Sequence, residues 1–444
     1  MKLRTALLPF LIFIAAAPCA LAQPPAAPPA AAPAAAPGRP APIVSPEVAP
    51  DGNVTFRLRA PNAKEVFVSG IGRPPAPAAP GAAGPPGGAR LDMQKNEQGI
   101  WTATTPEPMK PGIYQYTFSV DGLRIPDPGN NKFQTGFNSA NSSRLVVPGG
   151  LWSPAPGIAR GAVTRHIFHS TLAGDDRDFW VYTPAGYDAR RKERYPVFFL
   201  LHGLGDEANS WMENGAANVI LDNLIAQGKA RPMIMVNTLG YGYPNGPAGA
   251  MREGMLENFS KIVVQEVLPI VEKNYNVART PSMRAIAGLS MGGAEAAFIG
   301  LNRLDTFAYV GSFSGAYVMW PGAMPPAAAA PAAAPAAAPA GARGAGAPGA
   351  GAGPGRGGQR QISKETIDKA FPTLDAKANA RLKLLWITCG TADGLVGVNR
   401  TFREWLDAKG VKNTYIEVPD IGHVWPFWRQ NLADFAPLLF QTAK

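Results

Sequence analysis

Three tracts built almost wholly from Ala, Pro and Gly decide where this 444-residue chain can fold. Residues 23–42 depart from those three only at Gln23 and Arg39, residues 74–89 not at all, and residues 323–358 only at Met324, Arg343 and Arg356. Such segments carry too little apolar side chain to offset the entropy of ordering them, so they are expected to be linkers or surface loops. What remains is rich in apolar runs and long enough for two hydrophobic cores. A wholly disordered chain and a single small domain are both excluded.

The net charge of +10 invites a nucleic-acid reading. Lys2, Arg4, Arg39, Arg343 and Arg356 lie in the tracts or the leader without an acid beside them, and they supply half of that charge. The foldable segments are mildly basic with no Lys/Arg cluster, so no nucleic-acid partner is expected. In the leader, Lys2 and Arg4 precede an apolar run over 6–17, and Ala20-Leu21-Ala22 forms a small-residue cleavage site. Residues 1–22 therefore read as a signal peptide, and the protein is expected to be secreted or periplasmic. Ala16-Ala17-Pro18 before Cys19 fits a lipid-attachment box poorly. Cleavage after Ala22 removes Cys19, leaving Cys389 without an internal disulfide partner. No other segment is long and apolar enough to span a bilayer as a helix.

After the 23–42 linker, residues 43–148 read as a small β-sandwich. Runs at 54–58, 65–69, 99–103 and 114–120 alternate as half-buried strands do, and Asp121-Gly122 signals a turn. The 74–89 tract falls between strands as an expanded loop. From 160 to 444 strands and helices alternate instead. Strands are expected at 179–183, 197–201, 233–236, 283–287, 309–312, 383–388 and 415–418, with helices at 254–274, 293–302 and 399–409. That order predicts an α/β sheet with helices on both faces. The 323–358 tract interrupts it between a strand and the next helix, so it is expected to emerge at the strand ends where such sheets bind ligands.

Gly288-Leu289-Ser290-Met291-Gly292 is a G-x-S-x-G pentapeptide between a buried-strand run and a helical run. A serine on a tight strand-to-helix turn, with glycine on both sides, is the form of a nucleophile elbow. A serine hydroxyl needs a base and an orienting acid, expected further along in the order Ser, Asp/Glu, His. His423 is the sole histidine beyond Ser290 and follows the 415–418 strand. Asp393, just after the 383–388 strand, is the preferred acid; Asp407 and Asp420 are rivals. His202-Gly203-Leu204-Gly205-Asp206 follows the 197–201 strand and matches a loop that supplies an oxyanion hole. The backbone N–H groups of Met291 and Leu204 are its expected donors. His202 is read as shaping that loop, and Trp425 and Trp428 as walls of a substrate pocket, one of them at least belonging to the core.

These stretches carry a resemblance. LLHGLGDEANSW (200–211), NVILDNLIAQGK (218–229), ENFSKIVVQEVLPIVEKNYNV (257–277), RAIAGLSMGGAEA (284–296), LLWITCGTADGL (384–395) and IGHVWPFWRQNL (421–432) are similar to the feruloyl esterases of carbohydrate esterase family one. That family sits in the wider esterase D group, with enterochelin esterases and mycolyltransferases. The resemblance implies an α/β-hydrolase fold, no metal or other cofactor, and a triad of Ser290, Asp393 and His423. The chain departs from the family in its long 323–358 insertion. Residues 43–148 resemble the immunoglobulin-like modules found ahead of glycogen-branching, isoamylase-type and some esterase domains. That likeness rests on the strand pattern, Trp101, the strand and turn over 114–121, Asp127-Pro128 and Asn130. Some such modules bind glucans, and Trp101, Tyr114, Tyr116 and Phe118 would be either a sugar platform or core.

The expected activity is hydrolysis of a feruloyl or acetyl ester on plant polysaccharide through an acyl-enzyme. The alternatives are a siderophore esterase, an acyltransferase of the same fold and, from another class, a glycan-binding protein without catalysis.

Overall fold

A computed structural model of the chain describes residues 42–71, 90–134, 136–137, 142–323 and 361–441. The signal peptide over 1–22, the linker over 23–42 apart from its last residue, the 74–89 tract and the 323–358 insertion beyond Ala323 lie outside the described residues.

Nine short strands build the N-terminal part: β1 (Glu47–Val48), β2 (Val54–Arg59), β3 (Val66–Ser69), β4 (Arg90–Asp92), β5 (Gln94–Lys95), β6 (Ile100–Thr104), β7 (Gly112–Val120), β8 (Leu123–Ile125) and β9 (Ser143–Val147). They form one sheet in the order β1-β2-β6-β5 and another in the order β4-β3-β7-β8, with β9 also on β7. Alternation decides which side chains point inward. Val54, Phe56 and Leu58 of β2 meet Val66 and Val68 of β3 and Tyr116 and Phe118 of β7 in one core. Trp101 is buried there too, so three of the four aromatics considered as a sugar platform are packing residues. Tyr114, half-buried, donates its hydroxyl to the Lys110 carbonyl at 2.7 Å.

A polar latch closes the end of this half. Asp127 is fully buried and its Oδ2 accepts from Ser45 Oγ at 2.6 Å and Tyr116 Oη at 2.7 Å, while Oδ1 accepts from the Gly129 N–H at 2.7 Å. Asn130 donates to Tyr116 Oη at 3.0 Å and to the Arg144 carbonyl at 2.9 Å. A buried carboxylate is tolerated only when its acceptor sites are filled in this way. Asp127 and Asn130 thus anchor the loop between β8 and β9.

The remainder is an eight-stranded sheet. Its strands are β10 (Ala162–Ser170), β11 (Asp175–Thr183), β12 (Val197–Leu201), β13 (Ile234–Thr238), β14 (Arg284–Leu289), β15 (Tyr309–Phe313), β16 (Leu384–Gly390) and β17 (Thr414–Val418). The order is β10-β11-β13-β12-β14-β15-β16-β17. β11 pairs antiparallel with both β10 and β13, and every later pairing is parallel. The central strands β12 to β15 are buried at every position, which is why they read as unbroken apolar runs.

Helices cover both faces: α1 (Ser210–Glu213), α2 (Ala217–Ala226), α3 (Met255–Lys261), α4 (Leu268–Asn274), α5 (Met291–Asn302), α6 (Lys364–Ala370), α7 (Val396–Ala408) and α8 (Trp425–Phe435). Residues of α3 to α7 pack one core, and those of α1, α2 and α8 the other. Burying a large apolar side chain in such a layer stabilises by about 1.5–3 kcal/mol. The single helix expected over 254–274 carries a π turn at Ile262–Val267, ahead of Pro269, which has no N–H to donate back along the helix. The fold is the expected α/β-hydrolase type preceded by an all-β segment. Among the described residues no helix is long and apolar enough to cross a membrane.

From Ile43 onward the chain clusters as one compact unit, so the β half and the α/β half are joined by contacts. Arg144 of β9 pairs with Glu213 of α1. Arg429 of α8, buried, donates from Nη2 to the Ile113 carbonyl of β7 at 3.3 Å and from Nε to the Asn214 carbonyl at 3.1 Å. Burial lowers the Arg429 guanidinium to about 10, with Tyr114 opposing that shift and Arg144 adding to it.

Candidate active site

β14 delivers Ser290 to the start of α5 at φ 54 and ψ −116, a conformation that a non-glycine residue adopts only under strain. Its N–H donates to the Phe313 carbonyl and its own carbonyl accepts from the Ala316 N–H, both at 2.9 Å. The flanking glycines are required by crowding. A Cβ on Gly292 would lie 2.5 Å from the Leu201 and His202 carbonyl oxygens, and one on Gly288 would strike the Gly292 backbone.

Asp393 follows β16 and His423 follows β17, so the loops after neighbouring strands bring them together. His423 Nδ1 donates to Asp393 Oδ2 at 2.8 Å, and Asp393 Oδ1 accepts from the Leu395 N–H at 2.9 Å. The Asp393 side chain is 1% exposed and that of His423 19%. Burial pushes the Asp393 carboxyl up, yet the bond to His423, the imidazole's charge, the Leu395 N–H and the Ser314 hydroxyl together hold it below the usual carboxylate range. Of the three acids weighed, Asp393 is the one on the imidazole. Asp407 pairs with Arg403 along α7 at 2.8 Å, and Asp420 is exposed. Among the described residues no hydrogen bond joins Ser290 Oγ to His423.

Trp428 stands edge-on to His423 with ring centroids 4.8 Å apart and donates from Nε1 to Ser314 Oγ at 3.3 Å. It is buried and braces the imidazole. Trp425 keeps part of its surface open and packs edge-on against Trp211 and Trp428, with centroids 5.3 and 5.4 Å away. Ser314, with its own φ of 51, carries no sequence signal beyond its place just past β15.

The loop after β12 forms a turn in which the Asp206 N–H donates to the Gly203 carbonyl at 3.1 Å, with Gly205 at φ +88. Leu204 lies at the tip, 37% exposed, and its N–H has no acceptor among the described residues. Met291 opens α5, where the first N–H groups have no intrahelical acceptor. A Cβ on Gly203 would lie 3.4 Å from that of Ser290, so this loop runs beside the serine.

His202 is buried and locks the loop. Its Nε2 accepts from the Gly240 N–H and its Nδ1 donates to the Gly203 carbonyl, both at 2.8 Å. Burial lowers its pKa to about 4, so the ring is neutral near pH 7 and works as a strut. Tyr241, which no sequence feature marked, accepts from the Gly205 N–H and donates to the Asp206 carbonyl, both at 2.9 Å. Burial raises the Asp206 carboxyl to about 7.

Beneath the elbow, Glu295 is fully buried with neither carboxylate oxygen hydrogen-bonded, and burial raises its pKa well above the ordinary range. The folded state therefore keeps a proton that the unfolded chain releases above its pKa of about 4.3. Stability is lost as the pH climbs from there through the raised folded value. Glu295→Gln removes that loss, so its melting temperature should exceed that of the wild type by a margin that widens from pH 5 to pH 8. Thermal melts of the two proteins at those pH values check this.

Among the described residues no group of three or more His, Cys, Asp or Glu is arranged to hold a metal ion. The arrangement offers a strained serine, a carboxylate-held imidazole and two backbone donors at one sheet edge. That set is suited to acyl transfer through a covalent intermediate.

The Esterase family model matches residues 170–439. A curated relative, the endo-1,4-beta-xylanase/feruloyl esterase of Xylanibacter ruminicola, is 35% identical over 283 residues, which are 62% of this chain and 36% of that protein. The endo-1,4-beta-xylanase Y of Acetivibrio thermocellus is 33% identical over 219 residues, 46% of this chain and 18% of that protein. The chain thus spans well under half the length of either relative. Among solved structures, a CE1 ferulic acid esterase from the anaerobic fungus Anaeromyces mucronatus matches with a TM-score of 0.50 at 23% identity, over 66% of this chain and 96% of that one. The enterochelin esterase of Shigella flexneri matches with a TM-score of 0.56 at 19% identity, over 88% of this chain and 92% of that one. At these identities the structural likeness speaks for the fold.

Proposed function

The chain belongs to the Esterase family, and from that premise we propose that it is an exported serine esterase cleaving feruloyl or acetyl esters of plant polysaccharide. The observation that carries the reading is the Asp393–His423 pair at the same sheet edge as the strained Ser290. Ser290 Oγ attacks the ester carbonyl carbon while His423 Nε2 takes its proton, and the Met291 and Leu204 N–H groups hold the resulting oxyanion. The C–O bond to the alcohol then breaks, and His423 returns the proton to that oxygen. Water, deprotonated by the same imidazole, attacks the acyl-enzyme, releasing the acid and restoring Ser290. Asp393 holds the imidazole with its Nδ1 proton inward, leaving Nε2 free as the base. In this reading Trp425, the partly open member of the tryptophan pair, walls the substrate cleft. The leader over 1–22 supports export.

The feruloyl reading draws on the 35% identical relative, whose own description joins xylanase to feruloyl esterase. A second reading, siderophore ester hydrolysis, is favoured by one observation: the enterochelin esterase likeness extends over 88% of the chain. Initial rates on methyl ferulate, acetylated xylan and a catechol siderophore, measured in parallel, separate them. Fastest turnover is expected on the ferulate or the acetylated xylan; fastest turnover of the siderophore would reverse the choice.

A further inference from the structure

The β half reaches the catalytic edge through one short turn. Past the Asp127 latch, Gly136 and Phe137 come up against the loop that carries Leu204. The Phe137 N–H donates to the Gly205 carbonyl at 2.7 Å, the tight end of the ordinary range. The N–H of the same Gly205 is held by Tyr241 Oη at 2.9 Å. Both polar groups of Gly205, the residue after the expected oxyanion donor, are thus tied down, one of them from outside the α/β half. Gly136 has φ +129, and a Cβ there would lie 2.8 Å from the Gly205 oxygen, so the approach itself calls for glycine.

The Phe137 ring packs edge-on against Tyr241, with centroids 5.8 Å apart, and its Cζ lies 2.6 Å from where a Gly246 Cβ would be. Even so it is 50% exposed, a large apolar side chain left half in water beside the site. Tyr241 and Gly246 follow β13, whereas His423 follows β17, and in the strand order these lie to either side of β14. The leaving alcohol must face His423, which protonates it. A group on the β13 side of Ser290 therefore faces the acyl part of the ester. Arg144 to Glu213 and Arg429 to the Ile113 carbonyl hold the β half on α1 and α8, so the turn is supported from behind.

We propose that the Gly136–Phe137 turn completes the ester site, its N–H positioning the oxyanion loop and its ring forming an apolar wall for the aromatic acyl group. Phe137 is then a specificity residue and Gly136 a positioning one, on an element outside the hydrolase sheet. The proposal rests on the esterase reading above and deepens it.

Two variants of the full chain test it on p-nitrophenyl ferulate and p-nitrophenyl acetate, which share a leaving group and differ only in acyl part. Phe137→Ala keeps the backbone N–H and removes the ring. The loss in kcat/KM on the ferulate should exceed that on the acetate by about tenfold, mostly through KM, with Phe137→Tyr restoring it. Gly136→Ala pushes the Gly205 carbonyl away and should lower kcat about tenfold on both esters, with the acetate KM little changed. Equal losses on both esters in Phe137→Ala, or none, would overturn the acyl wall. An unchanged kcat in Gly136→Ala would overturn the positioning role. A wild type that cleaves the acetate and not the ferulate removes the feruloyl reading alone. The wall is then judged by the same comparison between p-nitrophenyl benzoate and acetate.

Discussion

Ser290→Ala should lower kcat on methyl ferulate by at least about 10⁴-fold, leaving KM and the melting temperature close to those of the wild type. In the proposed mechanism the side chain contributes a single hydroxyl that becomes the acyl carrier, so its loss removes the covalent route altogether. The backbone bonds that hold the elbow, from the Ser290 N–H to Phe313 and from the Ala316 N–H to the Ser290 carbonyl, do not involve the hydroxyl. Alanine meets the same strain at φ 54 as serine does, so the change in stability should stay under about 1 kcal/mol. The measurement is a pre-steady-state burst with a p-nitrophenyl ester, alongside labelling by a fluorophosphonate. Both should vanish in the variant; turnover at the wild-type rate would remove the serine from the mechanism.

Asp393→Asn is expected to cost about 10⁴-fold in kcat at neutral pH without displacing the loop. The amide keeps the shape, and its oxygen can still accept from the Leu395 N–H. What changes is the proton on the imidazole. An amide N–H facing Nδ1 favours the ring form protonated at Nε2, which cannot take the serine proton. Stability shifts too. The Asp393 carboxyl titrates below its unfolded value, so it stabilises the fold above a pH of about 3.9 and that contribution disappears as the pH falls through the lower folded value. The Asn variant should therefore melt lower than the wild type at pH 7, and the gap should close towards pH 3. A variant with a wild-type kcat would show that the 2.8 Å contact to His423 is structural.

Where side-chain chemistry alone dictated an arrangement, the sequence was legible. The central strands β12 to β15 are buried throughout and appear as apolar runs, and G-x-S-x-G marks a turn in which a Cβ on either glycine would meet backbone. Asp393 could be preferred to Asp407 because one follows a strand and the other lies within a helix. β10 is hidden in the sequence: as an edge strand it is exposed at six of its nine positions, and its covered side carries His166, Phe168 and Ser170 while Ile167 faces out, so apolar residues do not mark one face. β11 is legible over 179–183, where apolar residues predominate and four of five positions are buried, and not over its more polar start. Ser314, Tyr241 and Phe137 were invisible for another reason. Each acts through a contact with a distant segment, and no local pattern encodes a residue 68 positions away, as Phe137 is from Gly205.

The join between the two halves also orders events during synthesis. The guanidinium that accounts for the contact with the Ile113 carbonyl belongs to Arg429, and the proposed imidazole base is at 423, just ahead of it. The β half leaves the ribosome before α8 and holds a core of its own, but its partner surface on α8 follows much later in the chain. The imidazole at 423 and α8 arrive together, when that helix docks on a strand translated some three hundred residues earlier. A nascent chain that extends past α5 but not past β17 would carry the serine elbow without the imidazole, so the proposed ester cleavage waits until residue 423 has been made.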